Sequence, residues 1–117
     1  EYDPVDSDRY IVTYKKIIEE SQKRFPLLKV ILMEPFLMRG SATEPYWDEF
    51  SREILSRAKL VKVLSKETQS RFVPLQEIFQ KACESYPEAR WTRDGIHPTP
   101  GGHQLIANAW IQAFHSL

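Results

Sequence analysis

The sequence predicts an α/β domain built on a parallel sheet, and three observations carry that prediction. Short strand-like runs alternate with longer segments of helical apolar spacing, the order of a parallel sheet with right-handed crossovers. The run 28–33 (LKVILM) is apolar almost without interruption, as in a strand covered on both faces. With 117 residues, 42% hydrophobic and 27% charged, the chain is one domain at most and can bury a core.

Each element has its own signals. Asp6-Ser7-Asp8 can accept hydrogen bonds from the free N–H groups of a first helical turn. Tyr10, Ile11, Tyr14, Ile17 and Ile18 then form one apolar stripe, and Phe25-Pro26 ends the helix. The first strand, 28–33, leaves through Glu34-Pro35-Phe36 into a loop over 37–44 (LMRGSATE). Thr43 and Pro45 are placed as cap and first-turn residue of a second helix, which keeps its spacing through Trp47, Phe50, Ile54, Ala58 and Val61 to about Thr68. Phe72, Val73 and Leu75 read as a second strand, interrupted or ended by Pro74. A third helix is expected over about 76–85, with Ile78, Phe79 and Ala82 inward. A loop over 91–98 leads to Thr99-Pro100, the start of a last helix with Leu105, Ile106, Ala109, Trp110, Ala113 and Phe114 as a broad apolar stripe. Two strands are few for four helices to cover, so the pattern predicts a sheet with one edge incomplete.

Composition excludes several classes. Sixteen basic residues balance sixteen acidic ones, which gives no electrostatic reason to expect nucleic acid as the partner. Cys83 is the single cysteine, so an intrachain disulfide and a Cys-rich zinc site are both ruled out. No run approaches the ~20 apolar residues of a transmembrane helix. The solitary cysteine favours a cytoplasmic location. The opening Glu1-Tyr2-Asp3-Pro4 has no Met and no signal-peptide pattern, and the expectation is that a preceding part of the domain is absent.

The chemistry gathers near the C-terminus. Asp94 and His97 lie three residues apart in the loop before the last helix. A turn there can bring the carboxylate to the imidazole Nδ1–H and leave Nε2 aimed at a nucleophile. Gly95 permits a tight path between them, and Pro98 holds His97 extended. The plainer reading is a loop aspartate capping a turn beside a histidine held by a backbone carbonyl. His103 could join the pair as a metal ligand, but local hydrogen bonding in the first turn of the last helix is favoured, and no metal or other cofactor is expected. His115 reads as a surface residue. Met38 and Arg39 are candidates for substrate contact, because loops at the C-terminal ends of parallel strands line the ligand crevice; an ordinary solvated loop is the competing reading. Trp47 and Trp91 flank the same presumed crevice, as packing residues or as a lid, and Cys83 reads as a small buried apolar side chain.

The string Asp94-Gly95-Ile96-His97-Pro98-Thr99, followed by Gly102-His103-Gln104-Leu105-Ile106-Ala107, resembles the last conserved block of the SGNH, or GDSL-type, esterases and lipases. The upstream order of helix, LKVILMEPF strand, long helix and RFVPLQEIF is similar too, so the likeness spans nearly the whole chain. It implies a flavodoxin-like three-layer fold of which this chain, 1–117, would be the C-terminal part, keeping the last two of five parallel strands. It also implies catalytic roles for Asp94 and His97 in hydrolysis of a small carboxylic ester by an acyl-serine mechanism without a cofactor. None of the nine serines stands in a Gly-Asp-Ser or Gly-x-Ser-x-Gly context, and Asn108 has no Gly-x-Asn-Asp around it. The chain by itself is therefore expected to be inert, pairing with an N-terminal half that bears the nucleophile. The alternative is a non-catalytic α/β interaction module, self-associating through an exposed strand edge. A small flavodoxin-like binding domain with an accidental Asp-x-x-His is a third reading.

Overall fold

A computed structural model describes residues 6–117; the opening Glu1-Tyr2-Asp3-Pro4 lies outside the described residues. Helix α1 (Ser7–Arg24) begins where the Asp6 side chain accepts the Asp8 N–H at 3.0 Å and ends at Phe25, whose φ of −127° leaves the helical region. Tyr10, Ile11, Tyr14 and Ile18 face the core, but Ile17 is 60% exposed. The stripe is narrower than its spacing suggests, because Ile17 falls on its solvent flank.

Strand β1 (Ile31–Met33) pairs in parallel with β2 (Arg71–Val73), in register Ile31↔Arg71, Leu32↔Phe72 and Met33↔Val73. Both strands are shorter than the apolar runs that contain them. Leu28 is exposed, and Val30, though packed against the core, joins the neighbouring strand only through its carbonyl, which accepts the Arg71 N–H at 2.8 Å, because the chain on the other side is still leaving helix α2 (Trp47–Glu67) through the turn at 68–70. Pro74 lacks an N–H and marks the end of β2, so Leu75 opens helix α3 (Leu75–Ala82) rather than extending the strand. Helix α3 is followed by turns at 83–85 instead of reaching Ser85 as a helix. Helix α4 (Pro100–His115) starts as expected, with the Thr99 hydroxyl accepting the Gly102 N–H at 3.1 Å.

The predicted cap of α2 is different. Thr43 precedes a 3-10 turn, Glu44–Tyr46, and its buried hydroxyl donates to the Met38 carbonyl at 2.7 Å instead of capping the helix. A hydroxyl shut away from water takes the nearest carbonyl, and here that carbonyl lies in the preceding loop.

Alternation along the two strands sorts the core into two sides. Leu32 and Phe72 meet Ile18, Val61 and Leu64 of α1 and α2; Ile31 and Val73 meet Leu75, Ile106, Ala109 and Ala113 of α3 and α4. The result is three layers, helices on both faces of a two-stranded parallel sheet. Phe79, fully buried, stacks on Phe36 with ring centroids 4.2 Å apart and pins α3 to the exit of β1. Among the described residues no helix is long and apolar enough to cross a membrane.

Candidate active site

The loop between the short 3-10 turn Glu88–Arg90 and α4 is closed on itself. Thr92 and Pro98 form an antiparallel bridge, the Arg93 N–H donates to the His97 carbonyl at 2.9 Å, and the Thr99 N–H donates to Trp91 O at 3.0 Å. Inside this ring Asp94 gathers three donors. Its Oδ1 accepts the N–H groups of Ile96 and His97, each at 2.9 Å, and its Oδ2 stands 2.7 Å from His97 Nδ1. The bond from the His97 backbone, the bond from its ring and the bond from the Ile96 backbone hold the Asp94 carboxyl well below the usual carboxylate range.

That ionised carboxylate can only accept, so the proton of the shared bond belongs to Nδ1. In the neutral ring Nε2 is then the bare nitrogen, the form a general base requires. The His97 side chain is 64% exposed, and among the described residues Nε2 has no hydrogen-bond partner.

A second loop, 37–44, fixes the first. The Met38 N–H donates to Gly95 O at 2.9 Å and the Ala42 N–H to Asp94 O at 3.0 Å. Gly40 lies against this backbone so closely that a Cβ there would stand 2.2 Å from the Asp94 carbonyl carbon. Gly95 has φ of +99°, and a Cβ on it would come within 2.4 Å of Met38 O. Thr92 Oγ1 accepts the Gly95 N–H at 3.2 Å. Below the loop, the Gln76 side chain embraces the Leu37 peptide, accepting its N–H at 2.8 Å and donating to its carbonyl at 3.0 Å. Glu34 accepts the Gln76 N–H at 2.8 Å, which ties the end of β1 to the start of α3.

The remaining sequence candidates scatter. Met38 is 5% exposed, so its side chain packs in the interior of the described chain and its backbone does the bonding. Arg39 is half exposed, paired with Glu44 at 2.6 Å and laid over the Trp47 ring at 4.4 Å. Trp91 donates its indole N–H to Tyr86 O at 3.2 Å, a packing role. His103 and His115 are exposed, and the His103 N–H bonds back to Thr99 O at 2.8 Å. Among the described residues no group of three or more His, Cys, Asp or Glu is placed to hold a metal ion. Cys83 is partly exposed rather than buried, and burial on its inner side pushes the thiol up. Sequence reasoning missed Gly40, Thr92 and Gln76, all of which position the loop through backbone bonds or backbone contacts.

Comparison with known proteins supplies the context for this arrangement. No protein-family model matches the chain. It is 30% identical over 106 residues to an acetylxylan esterase of Geobacillus stearothermophilus, an alignment covering 90% of this chain and 45% of the esterase. The fold matches a GDSL-like lipase from Parabacteroides merdae with a TM-score of 0.85 at 30% identity, over 92% of this chain and 49% of the lipase. It matches the solved acetylxylan esterase with a TM-score of 0.77 at 29% identity, over 93% of this chain and 47% of that one. The chain thus spans about half the length of the relatives it matches. Variants of that esterase described as catalytic mutants replace a serine, an aspartate and a histidine, the last two three positions apart.

Proposed function

The chain belongs with the SGNH/GDSL-type hydrolases over the half of their length that it matches, and from that premise we propose that it supplies the acid–base half of a serine ester hydrolase. His97 takes the proton of a serine hydroxyl through Nε2 and returns it to the leaving alcohol. Asp94 holds the ring in the required tautomer and stabilises the imidazolium. The observation that carries this reading is the 2.7 Å contact between Asp94 Oδ2 and His97 Nδ1, reinforced by both backbone donors to Oδ1. The spacing of Asp94 and His97 is that of the aspartate and histidine replaced in the catalytic mutants of the acetylxylan esterase. The substrate is a small carboxylic ester, and the names of the relatives favour an acetylated sugar. No metal or organic cofactor enters such an acyl transfer.

The nucleophile and the oxyanion donors come from a segment outside this sequence. Loss of one oxyanion donor alone lowers the rate by ~10²–10³, so the chain by itself is inert. Hydrolysis of p-nitrophenyl acetate tests this in two preparations: the 117-residue chain alone, and the chain joined to the serine-bearing N-terminal half of the Geobacillus esterase. The expected result is no His97-dependent turnover in the first and turnover abolished by His97→Ala in the second. Turnover by the isolated chain that disappears in His97→Ala would contradict the proposal.

A second reading, pairing through a strand edge, is favoured by one observation. Each strand of the sheet has a single neighbour among the described residues, and Met33 at the end of β1 is 42% exposed. Sedimentation of the isolated chain as a dimer would support it, and a stable monomer would remove it.

A further inference from the structure

The Asp94–His97 loop and its partner loop 37–44 stand where β1 ends; a different feature stands where β1 begins. The chain there runs Lys23-Arg24-Phe25-Pro26-Leu27-Leu28-Lys29, three cations and no acid, and all of these residues are exposed. Leu27 is 93% exposed and Phe25 58%, and among the described residues no other large apolar side chain is as open as Leu27. A single exposed leucine is ordinary, but a run of consecutive apolar residues in water destabilises the fold unless something covers it. Nor is the segment loose. The Phe25 N–H donates to Ser21 O and the Leu28 N–H to Phe25 O, each at 2.9 Å, and Val30 packs against the core. The turn therefore holds its apolar tip out in water before any partner arrives, and little ordering is left to be done on binding.

Charge decides what covers that tip. Among the described residues Lys23, Arg24 and Lys29 enter no ion pair, and of the preceding acids on α1, Glu19 already lies 3.9 Å from Lys15. The Arg24 guanidinium stands 5.9 Å from the Phe25 ring centroid, so cation and apolar side chain sit side by side. A protein partner would have to bury or neutralise lysines beside its apolar contact, and lysine is depleted from such interfaces. A second copy of the chain would set the same cations against each other. An anionic bilayer suits both properties: Phe25, Leu27 and Leu28 enter the acyl boundary while the long lysine and arginine stems leave their charges among the phosphates. A net charge of zero does not oppose this, because only charges within a screening length of ~8 Å act strongly at the surface. We propose that the 23–29 turn docks the protein on an anionic lipid surface, by the end of the sheet opposite the Asp94–His97 loop. This does not rest on the hydrolase reading.

The test is co-sedimentation of the 117-residue chain with vesicles of equal parts phosphatidylcholine and phosphatidylglycerol, beside vesicles of phosphatidylcholine alone. The expected result is saturable binding to the mixed vesicles that is lost on the neutral ones and in ~1 M salt, where the screening length falls to ~3 Å. Leu27→Ser alters only an exposed side chain, so the fold should survive, and it should weaken binding about tenfold. Lys29→Ala should weaken it about fivefold. His97→Ala should leave it unchanged, so failure of the hydrolase reading and failure of this one are told apart. Equal binding to neutral and mixed vesicles, or none to either, overturns the proposal. Binding that survives Leu27→Ser undiminished also overturns it, since the apolar tip would then play no part. The same holds for binding that disappears once the chain is joined to the N-terminal half of the Geobacillus esterase, which would mean that the tip belongs to the contact between the halves.

Discussion

Two regions of this molecule are held together by different means. The paired loops 37–44 and 91–99 bury the side chains of Leu37 and Met38, yet they are held together chiefly by hydrogen bonds with named partners: Met38 with Gly95, Ala42 with Asp94, Thr43 with Met38, Arg93 with His97, Thr99 with Trp91. The sheet and its helices depend instead on apolar contact, and they are incompletely covered. Leu55, Val63, Trp110 and Phe114 remain between 42% and 54% exposed, on helices whose inner faces are well packed. The difference teaches that the Asp94–His97 geometry is set locally, by backbone bonds between two loops. The frame that carries those loops has apolar surface to spare.

Substitutions can break this contrast. The largest effect is expected in the frame. Phe79→Ala removes a fully buried ring stacked on Phe36 and should cost ~3–5 kcal/mol, enough to unfold frame and loops in one urea transition. Gly40→Ala drives a methyl into the Asp94 carbonyl and should cost about 3 kcal/mol, with the loss of the His97 Nδ1–H NMR signal appearing before the frame unfolds. Gln76→Leu strands the buried N–H and carbonyl of Leu37 and should cost about 1–2 kcal/mol by chemical denaturation.

The smallest effect should be one of pH, and its sign follows from the carboxyl. Asp94 is depressed in the folded state below the ~3.9 of a free aspartate. Its contribution is therefore fully present above that value and is lost only as pH falls through the lower, folded value. The loop should stay closed through mild acid and open well below ~3.9. Asp94→Asn should abolish this acid transition, which NMR of the His97 ring would report; a loop that opens near the ordinary carboxylate value would show that the three donors to Asp94 do not hold in solution.

What the sequence made legible follows the same division. Elements fixed by adjacent residues were readable: Asp6 as a cap, Thr99-Pro100 as the start of α4, and Asp94 close enough to His97 for a single turn to join them. What depended on distant chain was not. Strand β1 is shorter than LKVILM because its neighbour supplies only three partners. Thr43 looked like a helix cap because the competing Met38 carbonyl becomes available only when the loop folds back. Gly40, Thr92 and Gln76 left no local signal at all, since a glycine pressed against a peptide more than fifty positions away looks in sequence like any other loop glycine. Ile17 failed for a simpler reason, that helical spacing places a residue near a face without fixing which side of its edge it takes.

The central claim is that an ionised Asp94 fixes the His97 tautomer. Nitrogen-15 NMR of the histidine rings measures it directly. For the neutral ring of His97 the structure predicts a protonated Nδ1 and a bare Nε2, with that preference lost in Asp94→Asn. A proton found on Nε2, or a tautomer indifferent to Asp94→Asn, would contradict the account.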